Sequence, residues 1–260
     1  MVRVHILNID ILSIKKDELL NHLERGVVFT PNVDHLVRLQ KDRDLYEAYR
    51  QTDWVICDSV ILHRLSRLLK NSIVESIPGS TFFRDFCEYH RQDENRKIFI
   101  LGGKKGVAQQ AMENINQRMG RRMVVGACSP SFHFVEDEQE SQKLVRMISE
   151  SGATVLVVCA TSPKQEIWIA RYRSLMPEVR CMMALGATVD FEAGTVKRCP
   201  MWIQRLGMEW FWRFSQEPRR LFKRYWVDDM KFFWYFGKQL LGLYKNPFEA
   251  KEQFNRPIND

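Results

Sequence analysis

Five short stretches constrain the fold more than anything else in the chain: Val27–Thr30, Asp53–Cys57 (DWVIC), Lys97–Leu101 (KIFIL), Thr154–Cys159 (TVLVVC) and Cys181–Leu185 (CMMAL). They are apolar, mostly β-branched or bulky, and lack polar–apolar alternation. That pattern belongs to strands covered on both faces. Val2–Leu7 and Met123–Ala127 read as further strands. Between the strands lie helical stretches: Lys15–Glu24, Val33–Arg43, Leu45–Gln51, Val60–Leu69, Ser80–Arg91, Gly106–Met119, Asp137–Glu150 and Ser162 to about Leu175. Breaks such as Pro78-Gly79-Ser80 and Ser129-Pro130-Ser131 punctuate them, with Ser80 read as a helix cap. The β/α alternation predicts an α/β, Rossmann-like architecture, a mainly parallel sheet with helices on both faces.

After Gly194 the character changes. Residues 197–245 carry eleven Lys/Arg against four acids, an excess equal to the net +7 of the whole chain, and five of the seven tryptophans. The sequence therefore divides into a near-neutral Rossmann-like domain, 1–196, and a basic, aromatic, helical appendage, 197–260. Such a segment suits phosphate ligands, anionic lipid or nucleic acid. On a helical wheel for 219–245, Arg220, Lys223, Arg224, Lys231, Lys238 and Lys245 share one face. Phe222, Trp226, Phe233, Phe236 and Leu240 share the other, interrupted by Asp229. Either the aromatic face lies in a membrane interface or it packs on the protein. Nucleic acid is disfavoured, because no reading motif is present and the aromatics sit opposite the basic stripe. No apolar run reaches membrane-spanning length, and no secretory signal pattern opens the sequence. The six cysteines are scattered without metal-ligand spacing and read as reduced, cytosolic thiols.

In a doubly wound sheet, ligands bind beyond the carboxyl ends of the strands. Those ends carry Thr30 and Asn32, Asp58, Gly102-Gly103, and Thr161 with Lys164-Gln165-Glu166. Asp58 suits a general base or a metal ligand; its alternative role is to cap the helix from Val60. Gly102 and Gly103 would let backbone N–H groups approach a phosphate. Ser162 fits an N-cap with Pro163 at the first helical position, so the polar trio 164–166 stands either for a ligand site or for a well-capped helix start. Asp190 either binds a ligand hydroxyl or fixes its turn. The histidines form no triad or ligand cluster, and no metal-binding, GxSxG, HExxH or DxD pattern appears.

Several blocks in order resemble one family. They are Thr30-Pro-Asn32, Cys57-Asp58, Phe99–Gly103, Ser162-Pro-Lys-Gln-Glu166, Gly186–Gly194, Val196–Pro200, Gly207–Arg213 and Gln216–Tyr225. The sequence is similar to the WecG/TagA/CpsF glycosyltransferases over almost its whole length. The resemblance implies inverting transfer from a UDP-sugar to a polyprenyl-diphosphate-linked saccharide, without metal or other cofactor. It implies a protein that is cytoplasmic and peripheral on the inner face of the cell membrane, with no nucleic-acid partner. Carried over by position, Asp58 would be the base, and Thr30, Asn32 and Gln165 would line the pocket. Arg213, Arg220 and Arg224 would meet the diphosphate, the natural charge partners where no metal pattern exists. Ser59, Ser76 and Cys159-Ala-Thr161 depart from the family pattern and leave the donor sugar open. A nucleotide-sugar-binding protein without transferase activity is the alternative, and a homo-oligomer is compatible with either.

Overall fold

A computed structural model describes residues 1–197, 199, 203, 212, 222 and 228–249. A six-stranded sheet forms the centre, built from β3 (Gly26–Phe29), β4 (Trp54–Val55), β5 (Ile98–Gly102), β6 (Val124–Cys128), β7 (Val155–Cys159) and β8 (Cys181–Ala184). The order is β4-β3-β8-β7-β5-β6, and every pairing is parallel. Successive side chains point to opposite faces of a strand, and here both faces are apolar. Phe29, Leu101, Leu156, Val158 and Ala184 enter one core with α2 (Val33–Arg38), α3 (Arg43–Arg50), α7 (Glu138–Glu150) and α8 (Lys164–Tyr172). Val28, Ile100, Val157, Cys159 and Met183 enter the other with α1 (Lys16–His22), α5 (Gly79–Tyr89) and α6 (Val107–Met119). Non-alternating strands are what such a two-sided arrangement needs, and the expected α/β class is the observed one.

The N-terminal strand does not join this sheet. β1 (Val2–Ile6) pairs antiparallel with β2 (Ile9–Ser13), a strand the sequence did not announce. Their turn, Leu7-Asn8, contains no glycine; Leu7 itself takes the left-handed conformation at φ 55°. The hairpin flanks the β4 edge through a bridge between Leu12 and Ile56.

The C-terminal helical expectation is corrected at its end. The described helix α10 spans Met230–Leu240, and Gly242 at φ 70° follows its cap. Residues 241–249 therefore leave the helix, and Lys245 no longer shares a face with Lys238. The wheel also split wrongly: Phe232 and Phe236 are buried and stacked on each other, whereas Phe233 and Leu240 are exposed. An i, i+4 pair forms the inward stripe, and α10 packs it against α2 and the hairpin. Gln239 clamps the hairpin turn, accepting from the Leu7 amide at 2.8 Å and donating to the His5 carbonyl at 2.9 Å. Tyr244 donates to Gln40 at 2.6 Å, and Phe248 stacks on Tyr46. Among the described residues no helix is long and apolar enough to cross a membrane.

Candidate active site

The loops after β3, β4 and β8 meet at the carboxyl end of the sheet. Backbone bonds set their spacing: Asp58 N–H donates to the Pro31 carbonyl at 3.1 Å, and Ile77 N–H to the Cys57 carbonyl at 2.7 Å. Thr30 Oγ1, buried, donates to the Ala184 carbonyl at 3.4 Å, tying the end of β3 to that of β8. The Asp58 carboxylate accepts from Gly79 N–H at 3.3 Å through Oδ2. A methyl group added to Gly79 would lie 3.1 Å from Leu185 Cδ2, 3.4 Å from Thr30 Oγ1 and 3.7 Å from Asp58 Oδ2. Thr30, Asp58, Gly79 and Leu185 thus converge on one point, and a backbone without a side chain at 79 leaves that point open.

Two helix-capping expectations are corrected here. Asp58 does not cap the helix that follows it, α4 (Val60–Leu65); Ser59 does, its hydroxyl accepting from Leu62 N–H at 3.3 Å. Ser80 does not cap α5, which begins one residue earlier at Gly79 behind Pro78. The acceptor at that helix start is Asp58 itself, brought from a different loop. A carboxylate there also faces the positive end of the α5 dipole. Asn32 caps α2, accepting from His35 N–H at 3.3 Å. Cys57, next to Asp58, is buried and its thiol is pushed up to about 12, so it is no nucleophile at neutral pH.

The polar trio on α8 separates. Lys164 reaches outward to the Phe132 ring and to Glu136 at 3.5 Å. Gln165, 3% exposed, accepts through Oε1 from Ala160 N–H at 3.3 Å and Gly186 N–H at 2.9 Å. Its Nε2 donates to Glu166 at 2.7 Å, and Glu166 is wholly buried. Ser162 is not an N-cap either: a Thr161–Lys164 backbone turn precedes α8, Pro163 holds the cap position, and no side-chain cap bond forms.

Gly102, Gly103 and Asp190 gather a little further along, around Cys159. Gly102 (φ 136°) faces the Cys159 carbonyl so closely that an added methyl would lie 2.0 Å from its oxygen. Gly103 N–H donates to that oxygen at 3.1 Å, so this amide is committed to β7. Asp190 lies on α9 (Thr188–Glu192), anchored to α6 by an Arg118–Glu192 ion pair at 2.7 Å. Burial raises the Asp190 carboxyl above its usual range, opposed by Lys104 and by a Thr195 hydrogen bond. No group of three His, Cys, Asp or Glu side chains arranged to hold a metal occurs among the described residues. Arg213, Arg220 and Arg224 lie outside the described residues.

The description "Glycosyl transferase WecG/TagA/CpsF family" matches residues 4–246. The chain belongs to this family. A relative from Bacillus subtilis (strain 168), the N-acetylglucosaminyldiphosphoundecaprenol N-acetyl-beta-D-mannosaminyltransferase, is 28% identical over 195 residues. That alignment covers 75% of this chain and 73% of the relative. In this WecG/TagA/CpsF chain Thr30, Asp58 and the Gln165 bridge all lie at the carboxyl end of the sheet. Sequence reasoning did not single out the Gly79 and Gly186 amides, and it named Glu166 only within the polar trio, without its burial. Only Glu166 carried a local signal, standing with Gln165 and Trp168 on the inward face of α8.

Proposed function

We propose that the chain is an inverting transferase. It moves a sugar from a UDP-sugar to a polyprenyl-diphosphate-linked saccharide in bacterial surface-polysaccharide assembly. The observation that supports this most is the Asp58 carboxylate, set at the end of β4 by the Gly79 amide and opposite Thr30. In the proposed step Asp58 takes the acceptor hydroxyl proton as that oxygen bonds to the anomeric carbon. The bond from that carbon to the diphosphate breaks, and UDP leaves with the electron pair. Arg213, Arg220 and Arg224 would balance the departing charge, so no metal is required in this scheme. Thr30, Asn32 and Asp190 offer hydrogen bonds for sugar or ribose hydroxyls. The test is UDP release in the presence of a synthetic lipid-diphosphate N-acetylglucosamine, screened across UDP-sugars. Release dependent on acceptor is expected with at least one donor; donor binding without release would favour a nucleotide-sugar-binding protein.

Attachment to the inner face of the membrane is part of the same proposal. Around α10, Phe233, Trp234, Leu240, Leu241 and Leu243 are exposed, and Lys238 Nζ stands 4.8 Å from the Trp234 ring centroid. Apolar side chains beside cations suit an anionic interface. Burying one large apolar side chain stabilises by roughly 1.5–3 kcal/mol. Replacing Phe233, Trp234 and Leu241 together by Ser is therefore expected to weaken co-sedimentation with anionic vesicles at least about tenfold. The melting temperature should change little, because these side chains are not in the core. Unchanged co-sedimentation would remove this surface from the membrane contact.

A further inference from the structure

A carboxylate without exposed surface is costly to keep unless hydrogen bonds compensate it. Glu166 in the first turn of α8 is such a group. Its Oε1 accepts from Gln165 Nε2 at 2.7 Å and lies 3.9 Å from His35 Nδ1. Its Oε2 accepts no hydrogen bond among the described residues. His35 Nδ1 is in turn 2.8 Å from Tyr49 Oη. Tyr49 is buried, and its phenol is held well above its ordinary range by that burial and by the charges of Glu166 and Asp58. Glu166, His35 and Tyr49 thus form one buried network between α8, α2 and α3. A helix start alone does not require it, since an exposed acid would meet the dipole at no desolvation cost.

We propose that Glu166 is a positioning residue that fixes the orientation of the Gln165 amide and, through it, the spacing of the loops that hold Asp58; this rests on the transferase reading above. A carboxylate can only accept hydrogen bonds. Gln165 must therefore turn its NH2 toward Glu166, which leaves Oε1 to accept from Ala160 and Gly186. Those amides belong to the loops after β7 and β8. Leu185, beside Gly186, packs against Gly79, whose amide holds Asp58. The sequence of contacts runs from Glu166 through Gln165 and the β8 loop to Gly79 and Asp58.

The experiment is a donor–acceptor swap in the full chain. Q165E sets two carboxylates against each other and should lower kcat by about a hundredfold, the scale of a slight misplacement of reacting groups. E166Q lets the new amide face either way and should lower kcat about tenfold. The double variant Q165E/E166Q restores the pattern with donor and acceptor exchanged, because the carboxylate at 165 can accept from both loop amides and from the amide at 166. It should recover at least about tenfold of the kcat lost in Q165E. The melting temperature should follow the same cycle, low in the single variants and restored in the double. Single variants with wild-type kcat per folded molecule would overturn the positioning role. So would a double variant that regains its melting temperature but not its kcat. Additive destabilisation in the double would overturn the pairing itself. If wild type transfers no sugar, the transferase reading fails, and the melting-temperature cycle still decides whether 165 and 166 act as a pair.

Discussion

Asp58→Asn is expected to lower kcat by about 10²- to 10⁴-fold, the range supplied by a positioned general base, with the fold intact. The substitution keeps the shape of the side chain. An amide oxygen can still accept from Gly79 N–H, the bond now made at 3.3 Å, so the junction between the β4 end and α5 survives. What is lost is the capacity to take a proton. Donor KM should stay near wild type, because Asp58 acts on the acceptor hydroxyl rather than on the nucleotide. Asp58→Ala is a poorer probe, since it leaves the Gly79 amide without its acceptor, at about 1–3 kcal/mol, and mixes stability with chemistry. Stopped assays of UDP release at saturating donor and acceptor, beside circular dichroism, decide the matter. Near wild-type turnover in Asp58→Asn would take Asp58 out of the reaction and with it the scheme proposed above.

The strands around this site were readable because their burial is symmetrical. Val155–Cys159 and Ile98–Gly102 have no polar face to hide, so composition alone identifies them. Ile9–Ser13 escaped because its turn is closed by Leu7 and Asn8 instead of a glycine pair, and a Gln239 side chain from the far end of the chain holds that turn. The same kind of distance hid the site's geometry. That Asp58 would serve the start of α5, and not of α4, depends on a contact between residues 21 apart in sequence. Glu166 looked like a dipole partner at a helix start; only the packing of α2 and α3 over it shows that it is buried. On α10 three phenylalanines at 232, 233 and 236 span more than one face, so periodicity could not say which of them turns inward.

Gly102→Ala is expected to cost about 3–6 kcal/mol, from backbone strain and overpacking together. At φ 136° a side chain is disfavoured whatever the space, and here there is none. The methyl carbon would lie 2.0 Å from the Cys159 carbonyl oxygen, 2.5 Å from its carbon and 2.9 Å from its Cα. All three are backbone atoms of β7, so no rotamer change can relieve the overlap. The strands would have to part where Gly102 pairs with Cys159, breaking the bond from Gly103 N–H to the same carbonyl. Both strands are central in the sheet, held on their other sides by β6 and β8. A chain of this size loses roughly 2–4 °C of melting temperature per kcal/mol, so a fall of about 6–24 °C, or insolubility, should follow. Gly152→Ala is the control: it too has a positive φ, 69°, but a methyl there meets nothing within 4 Å. That variant carries only the conformational cost, about 1 kcal/mol, and should melt a few degrees below wild type. If the two variants melt within about 3 °C of each other, close approach of β5 to β7 is not what requires glycine at 102. If they separate as expected, the glycine that sequence reasoning offered to a phosphate belongs first to the sheet that carries the site.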